Sequence, residues 1–303
     1  MLQTTTINML CGLYKPTSGK AIVAGFDLKT ELKSIHENMG VCPQHDVLWD
    51  DLTAREHLMF YARLRKIPAC DLDAAVQKAL DSVNLREWAD VLSCKFSGGM
   101  KRRLSTACSL VGDPKVVYMD EPSTGLDPAS RHRLWEVIAQ SKGKNSILLT
   151  THSMEEADVL CERLGIMGGG NMLCIGTSID LKSRFGAGYR LSIHVSDKSV
   201  AASNKVSAVV TGLLPSAKLL NEPLGGILDF EVPRQQVRLS KVYAAIEAQR
   251  AALGIMDWGI TESTLEEVFL AVTGHESHRG HIPDTKAAAS RIAVGASERS
   301  AVL

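Results

Sequence analysis

Neither sign of charge is in excess in this sequence, because Lys and Arg together number 34 and Asp and Glu together also number 34. A chain without a positive field has no general attraction for a phosphate backbone. The composition therefore argues against a nucleic-acid-binding protein, and we expect no nucleic acid among its partners.

Long apolar runs are also lacking. None approaches the roughly 18 residues that a membrane-spanning helix needs. The segment Met1–Leu10 is polar and threonine-rich, unlike a secretory signal peptide. We expect the chain alone to be soluble and cytosolic, so a role at a membrane would come through a partner or a segment outside this sequence.

Cysteine pairs are absent as well: none of the seven cysteines forms a C-x-x-C motif, and most lie inside apolar runs. An odd and scattered set of this kind indicates buried free thiols in a reducing compartment. It argues against a disulfide framework and against a zinc site.

The length of 303 residues is sufficient for two domains. Strand-length apolar runs alternate with helical patterns over 1–185, which predicts a mostly parallel, layered α/β domain with a helical side subdomain at about 50–112. The pattern changes near Gly186. Residues 186–274 are predicted to form a small α+β domain, and residues 275–303 a disordered tail.

The stretch Val116–Asp127 is the most informative, because its apolar run ends in Asp120 and Glu121. Such a run is typical of a buried parallel strand, and ligands of open α/β sheets bind at the carboxyl ends of the strands. One carboxylate there can hold Mg²⁺, while the other positions or deprotonates a water. The alternative is an ordinary acidic loop after a buried strand.

Two more polar residues follow predicted strands. Gln44 comes after the run Met39–Cys42, and His152 after Ser146–Thr151, next to the strand that carries Asp120. At the same edge of the sheet, Gln44 can contact Mg²⁺ or water, and His152 can hydrogen-bond a γ-phosphate or the attacking water. Taken alone, each of them is better explained as an exposed loop residue.

Polar residues also begin three predicted helices. Ser97-Gly98-Gly99 would place free amides at a helix N-terminus, which is a favourable site for an anion. The hydroxyls of Thr4 and Thr5 can ligate Mg²⁺ or phosphate, and Asp127 precedes Pro128 at a third helix start. Simple N-capping is the alternative in each case.

In this order the motifs resemble those of the ATP-binding-cassette (ABC) ATPase domain, which has a P-loop NTPase-type α/β fold. The resemblance covers Thr4 to about Leu181. The matching segments are Gln44 (Q-loop), Phe96–Met100 (signature), Val116–Glu121 (Walker B and catalytic Glu), Thr124–Asp127 (D-loop) and His152 (switch histidine).

Three stretches are similar to the A subfamily, the lipid-exporter group, and to its plant and algal branch in particular: Ser97–Ser105, Tyr118–Pro128 and Thr264–Leu270. Members of that group carry a small α+β regulatory domain after the cassette. The resemblance therefore implies that 186–274 is such a domain.

One departure concerns the family's phosphate loop, G-x-x-G-x-G-K-[ST], whose amides and Lys hold the β- and γ-phosphates. Gln3 stands at the Lys position and Leu2 at the last Gly position. We expect that the sequence starts inside this motif, as a truncated or misannotated reading frame would.

The resemblance implies an ATPase that uses ATP and Mg²⁺ and couples ATP binding and hydrolysis to transmembrane, lipid-type transport. A second cassette would pair with it head to tail, and a transmembrane domain of the same polypeptide would hold it at the cytoplasmic side of a membrane. The implied site residues are catalytic Glu121, His152 and Gln44; nucleotide-binding Thr4, Thr5, Ser97, Gly98, Gly99 and Asp127; and metal-binding Thr4, Gln44 and Asp120.

Two alternatives stay open. A degenerate cassette that hydrolyses nothing would contribute its signature to the ATP site of a partner, and Gln3 favours this hypothesis. A soluble cassette protein acting on ribosomes or DNA usually has a tandem cassette or a long coiled coil, and neither pattern occurs in the sequence.

Overall fold

The structure is a computed structural model that describes residues 2–197, 199–220, 226–233 and 239–274. The described chain divides into two compact units, the first ending at Leu173 and the second beginning at Cys174. The predicted disordered tail, 275–303, lies outside the described residues.

The first unit alternates helices and strands. Its helices are α1 (Leu2–Leu10), α2 (Leu32–Asn38), α3 (Ala54–Leu64), α4 (Leu72–Ser82), α5 (Gly98–Leu110), α6 (Pro128–Ser141) and α7 (Met154–Leu160). Its strands are β1 (Ile22–Val23), β2 (Phe26–Asp27), β3 (Met39–Cys42), β4 (Val116–Asp120), β5 (Ser146–Thr150) and β6 (Leu164–Gly168). Strand β7 (Asn171–Gly176) contains the boundary between the units.

A parallel sheet of order β3-β4-β5 forms the centre of the first unit. One face of β4 presents Val117 and Met119 to a core that includes Leu134 of α6. The opposite face presents Tyr118 to a core that includes Ile7 of α1. Because both faces are covered, the strands are apolar along most of their length, as the sequence predicted.

A helical layer formed by α3, α4 and α5 has its own core, in which Leu58, Leu80 and Leu104 are fully buried. A capping box begins α3, since the Thr53 hydroxyl accepts a hydrogen bond from the Glu56 amide and the Glu56 carboxylate accepts one from the Thr53 amide. The α/β fold class with a parallel sheet and helical side layer is thus confirmed.

The second unit contains the helices α8 (Ser178–Phe185), α9 (Val200–Leu213), α10 (Leu239–Gln249) and α11 (Leu265–Gly274), and the strands β8 (Tyr189–Val195), β9 (Lys218–Leu219), β10 (Ile227–Val232) and β11 (Ile255–Glu262). The four strands form an antiparallel sheet of order β11-β8-β10-β9. With α9 and α10 between them, this is the β-α-β-β-α-β arrangement of ferredoxin-like domains.

Side chains that point alternately to the two faces of the sheet explain which residues form the core of the second unit. Leu191 and Ile193 of β8 and Phe230 of β10 lie on one face of the sheet and are buried, whereas Arg190 and His194 point away from that core. Helix α8 packs against α11 within this unit. This compact unit therefore includes α8, and the domain boundary at residue 186 stays a prediction.

Several local expectations differ from the structure. The sequence patterns do not indicate helices α2, α8 and α9, and the helical pattern that continues past Leu160 as far as Arg163 is interrupted because Cys161 is extended. All seven cysteines are free, as expected, but Cys70 and Cys94 are exposed. The expectation that the cysteines are generally buried was wrong for these two, since Cys70 lies in an exposed turn and Cys94 in a short 3-10 helix, Ser93–Lys95.

Within the described part of the chain, no helix is long and apolar enough to cross a bilayer.

His57 links α3 to the segment that follows Gln44. Its Nδ1 donates to the Thr53 carbonyl oxygen at 2.8 Å, and its Nε2 accepts from the Trp49 amide at 2.9 Å. This arrangement requires a neutral ring, and burial lowers the pKa of His57 below 6.5. Protonation would leave the Trp49 amide without its acceptor.

We predict that the protein loses stability as the pH falls from neutral through 6.5, the unfolded-state pKa of histidine. The unfolded histidine gains its proton first, so stability present above the unfolded-state pKa of 6.5 is lost towards the lower folded-state pKa. The loss is about 1.4 kcal/mol for each pH unit between the two values. Thermal unfolding across this range should show a smaller dependence for His57→Gln. An equal dependence in both proteins would contradict the assignment.

Candidate functional site

The carboxyl ends of β4 and β5 are held in one register. Asp120, the last residue of β4, is the Cα partner of Thr150, the last residue of β5. The Thr150 hydroxyl donates to Asp120 Oδ1 at 2.5 Å, and Asp120 is only 5% exposed. A buried carboxylate is therefore fixed at the edge of the sheet with one oxygen already hydrogen-bonded.

Glu121 leaves this edge in an unusual backbone conformation, with a φ of +45°. A left-handed conformation at a residue other than glycine costs about 1–3 kcal/mol and persists only where the surroundings impose it. Here the Glu121 amide donates to the Thr150 carbonyl oxygen at 3.0 Å and lies 3.2 Å from the Thr150 hydroxyl oxygen. The turn thereby aims the Glu121 side chain along the edge of the sheet.

Three side chains meet at a single oxygen of Glu121. Oε2 lies 3.3 Å from Gln44 Nε2, 3.0 Å from Thr124 Oγ1 and 3.3 Å from His152 Nδ1. The three come from the end of β3, the turn after β4 and the end of β5. The structure thus brings together Gln44, Glu121 and His152, as the sequence predicted.

This edge is open to solvent on one side. The side chain of His152 is 68% exposed and that of Glu121 is 24% exposed. Glu121 Oε1 has no hydrogen-bond partner among the described residues, so one carboxylate oxygen stays available to a water or a substrate.

The donor atoms fit Mg²⁺ rather than a softer metal. Magnesium is bound in proteins by one or two carboxylates, with waters and phosphate oxygens completing its shell. Asp120 has a second carboxylate oxygen and Gln44 an amide oxygen at this edge, and both are oxygen donors of the kind that Mg²⁺ takes.

Thr4 and Thr5 lie in the first turn of α1. This helix packs through Ile7 against Tyr118, and Asp120 lies on the same face of β4 as Tyr118 because side chains alternate along a strand. The helix therefore covers the face on which Asp120 lies. The roles of Thr4 and Thr5 at metal and phosphate stay predictions.

Ser97, Gly98 and Gly99 begin α5, and the Ser97 hydroxyl caps the helix by accepting from the Met100 amide at 3.3 Å. A Cβ atom on Gly98 would meet nothing within 4 Å, whereas one on Gly99 would lie 2.6 Å from Ser130 Oγ. Gly98 therefore leaves open space over the helix start, and Gly99 allows close packing against α6.

Asp127 caps α6 by accepting a hydrogen bond from the Ser130 amide at 3.0 Å. Hydrogen bonds from Ser130 lower the pKa of its carboxyl group. Asp127 thus acts as an N-cap, which was the alternative interpretation of this residue. It is not among the side chains that contact Glu121. Its contact with a nucleotide stays a prediction.

Two protein-family models match the chain, each over a different segment. Residues 3–124 match the ABC transporter family, and residues 186–262 match the C-terminal R1 regulatory domain described as ABCA1-like. The chain carries a nucleotide-binding domain of the ABC transporter A family.

Known A-family proteins agree with this assignment. The chain is 48% identical over 272 residues to ABC transporter A family members 7 and 12 of Arabidopsis thaliana. Each alignment covers 89% of this chain and 29% of the relative, so the chain spans less than a third of the length of the curated relatives it matches.

A solved structure supports the fold. The chain is similar to a structure described as the ATP-binding subunit of an ABC transporter, with a TM-score of 0.55 and 28% identity. The similarity covers 61% of this chain and 77% of that one.

Sequence interpretation of the ABC site missed two residues, Thr150 and Arg102. Thr150 is a polar end to an apolar strand, and its pairing with Asp120 depends on a register that only the fold reveals. Arg102 lies in α5 and is 3% exposed, although a charged residue in a helix is usually placed in solvent. Arg102 hydrogen-bonds to backbone carbonyl oxygens and Thr150 to the neighbouring Asp120 carboxylate. Neither contact produces a recognisable motif in the sequence.

We predict that Gly98→Ala and Gly99→Ala in this ABC domain differ in stability. Alanine at 98 meets no neighbour and favours the helix by up to about 1 kcal/mol. Alanine at 99 would lie 2.6 Å from Ser130 Oγ, which can rotate away, and 3.1 Å from Ser130 Cβ, which cannot, so we expect it to destabilise by about 1 kcal/mol. Urea unfolding would measure both, and equal effects of the two substitutions would disprove the packing role of Gly99.

We also predict that Thr150→Val destabilises the first unit by about 1–3 kcal/mol, because buried Asp120 loses a donor. Thr150→Ser keeps the hydroxyl and should recover most of the loss. Denaturant unfolding of the two variants is the measurement. A valine variant as stable as the serine variant would show that this hydrogen bond contributes nothing.

Proposed function

We propose that this chain binds Mg²⁺ and ATP and hydrolyses ATP, and that it does so as part of a transporter that exports lipid-type molecules. The observation that carries the proposal is the meeting of Gln44, Thr124 and His152 at one oxygen of Glu121, next to buried Asp120. Family membership supplies the reaction class, and this geometry supplies the residues.

Glu121 is the group suited to act on water. Its Oε2 accepts hydrogen bonds from Gln44 and Thr124 and lies 3.3 Å from His152 Nδ1, so Oε1 can orient a water and accept its proton as the water oxygen attacks the γ-phosphorus. The bond between the γ-phosphorus and the bridging oxygen then breaks, and ADP leaves with the electron pair. Positioning of this kind contributes about 10²–10⁴-fold to a rate.

Gln44 and His152 both contact Oε2 of Glu121. Both can exchange that contact for a phosphate oxygen or the attacking water, which would make them sensors of the γ-phosphate. Asp120, Gln44 and Thr4 would hold Mg²⁺, which supplies neutralisation of charge on the phosphates.

Ser97, Gly98 and Gly99 would serve a second site. Gly98 leaves open space over the N-terminus of α5, where free amides and the helix dipole favour an anion. We propose that they complete the ATP site of a second cassette packed head to tail, and that Thr4, Thr5 and Asp127 contact nucleotide. A transmembrane domain, consistent with the greater length of the relatives, would place the chain at the cytoplasmic side of a membrane.

We further propose that the cassette occupies 1–185 and the R1-type regulatory domain 186–274. The R1 match at 186–262 supports the start of the second domain.

The second candidate function is a cassette that does not hydrolyse ATP and only completes the site of its partner. Gln3 favours it, because a neutral amide at this position cannot supply the charge of the family's phosphate-binding Lys. Turnover by the chain itself decides between the two.

We predict that Glu121→Gln lowers Mg-ATP turnover at least about 100-fold, because the amide cannot accept a proton. Phosphate release by the purified 303-residue chain is the measurement. Binding of a fluorescent ATP analogue should be retained, since the substitution preserves shape.

Glu136→Gln is the matched control, because Glu136 is exposed on α6 and remote from this constellation. Turnover that survives Glu121→Gln would refute the proposed role. A wild-type chain that binds the analogue without releasing phosphate would instead establish the second candidate.

A further inference from the structure

Arg102 is a buried cation that the proposed chemistry has not used. It lies in α5 directly after the segment Ser97–Met100, and its side chain is 4% exposed. A buried guanidinium is costly unless its donors are paired. Here its hydrogen bonds reach two separate segments of the candidate site.

The first segment is the one that carries Gln44. Arg102 Nη1 donates to the carbonyl oxygens of Pro43 at 2.6 Å and Gln44 at 3.2 Å. It also pairs with Asp46 Oδ1 at 3.1 Å. The backbone at the end of β3 is therefore held by the guanidinium on both sides of the Gln44 side chain.

The second segment is the one that carries Glu121. Arg102 Nη2 donates to the carbonyl oxygens of Asp120 at 3.1 Å and Glu121 at 3.0 Å, and Nε donates to that of Pro122 at 2.6 Å. The peptide groups on both sides of Glu121 are thus fixed by one side chain. This is the place where the backbone has a φ of +45°.

Only a forked cation can make both sets of contacts. Arginine has five N–H donors in a rigid plane, whereas lysine has three donors on one nitrogen. Lysine at 102 could reach one segment and would leave the carbonyl oxygens of the other unpaired. Shape as well as charge is therefore required at this position.

We propose that Arg102 is a positioning residue, which sets the distance between Gln44 and Glu121 and couples that distance to the start of α5. The inference rests on the proposed function, since Ser97, Gly98 and Gly99 on the same helix would contact the nucleotide of a partner. Because Arg102 holds the backbone at Pro43–Gln44 and at Asp120–Pro122, a shift of the N-terminus of α5 would move these two segments together.

Arg103 offers a matched control on the same helix. It is also buried, at 9% exposure, and donates to the carbonyl oxygens of Val83 at 2.7 Å and Asn84 at 3.3 Å. These contacts lie at the end of α4. Arg103→Lys should therefore cost stability without moving Gln44 or Glu121.

The test compares Arg102→Lys with Arg103→Lys in the full 303-residue chain. For Arg102→Lys we expect kcat for Mg-ATP to fall by roughly ten- to a hundredfold, the cost of a small misplacement, with KM nearly unchanged. Hydrogen exchange of the Glu121 amide, which donates to the Thr150 carbonyl oxygen, should become faster. For Arg103→Lys we expect unchanged kcat, and faster exchange only near Asn84 and Leu85.

Equal losses of kcat in the two variants, or an unchanged Glu121 amide in Arg102→Lys, would show a purely structural arginine. If Arg102→Lys does not fold, Asp46→Ala is the second variant, because it removes one hydrogen-bond partner of Arg102. It should give a smaller fall in kcat and a smaller increase in the exchange rate of the Glu121 amide. No change in kcat or in Glu121 exchange in Asp46→Ala would then overturn the proposal.

Failure of the proposed function has a different signature. A wild-type chain without turnover contradicts ATP hydrolysis, but hydrogen exchange of the Glu121 amide still tests whether Arg102 holds this segment in place. Loss of protection at Glu121 in Arg102→Lys alone supports the positioning role, and its absence refutes that role whatever the turnover.

Discussion

The parallel pairing of β4 with β5 is the constraint on which the rest of the candidate site depends. It places Asp120 opposite Thr150, so that Glu121, the residue after β4, and His152, two residues after the end of β5, emerge at the same edge. A register shifted by one residue would turn Asp120 to the opposite face. The apolar side chains of Val117, Met119 and Leu149, buried on a common core with α6, make that shift costly.

The acidic edge is held by backbone contacts as much as by side chains. Two hydrogen bonds compensate for the strained turn at Glu121. Its amide donates to the Thr150 carbonyl oxygen, and its own carbonyl oxygen accepts from the Arg102 guanidinium. Arg102 also holds the backbone of Gln44. Gln44 and Glu121 thus belong to one hydrogen-bonded unit with Arg102, and His152 lies 3.3 Å from the same Glu121 oxygen.

Much of this arrangement could be predicted from sequence because the relevant signals are local. An apolar run followed by Asp120 and Glu121 predicts a strand end, and Asp127-Pro128 predicts a helix start; the structure has both. Arg102 and Thr150 could not be found in this way, because their importance arises from partners distant in sequence. Burial of Arg102 also contradicts the usual placement of arginine, and only the convergence of carbonyl oxygens explains it.

The central claim is that Asp120 and Glu121 face the phosphates of bound ATP. A crystal structure of Glu121→Gln with Mg²⁺ and ATP would test it most directly. We predict Mg²⁺ in contact with Asp120, and the residue 121 side chain within hydrogen-bond distance of a water in line with the γ-phosphorus. Nucleotide bound away from the carboxyl ends of β4 and β5, or Mg²⁺ held without Asp120, would contradict the account.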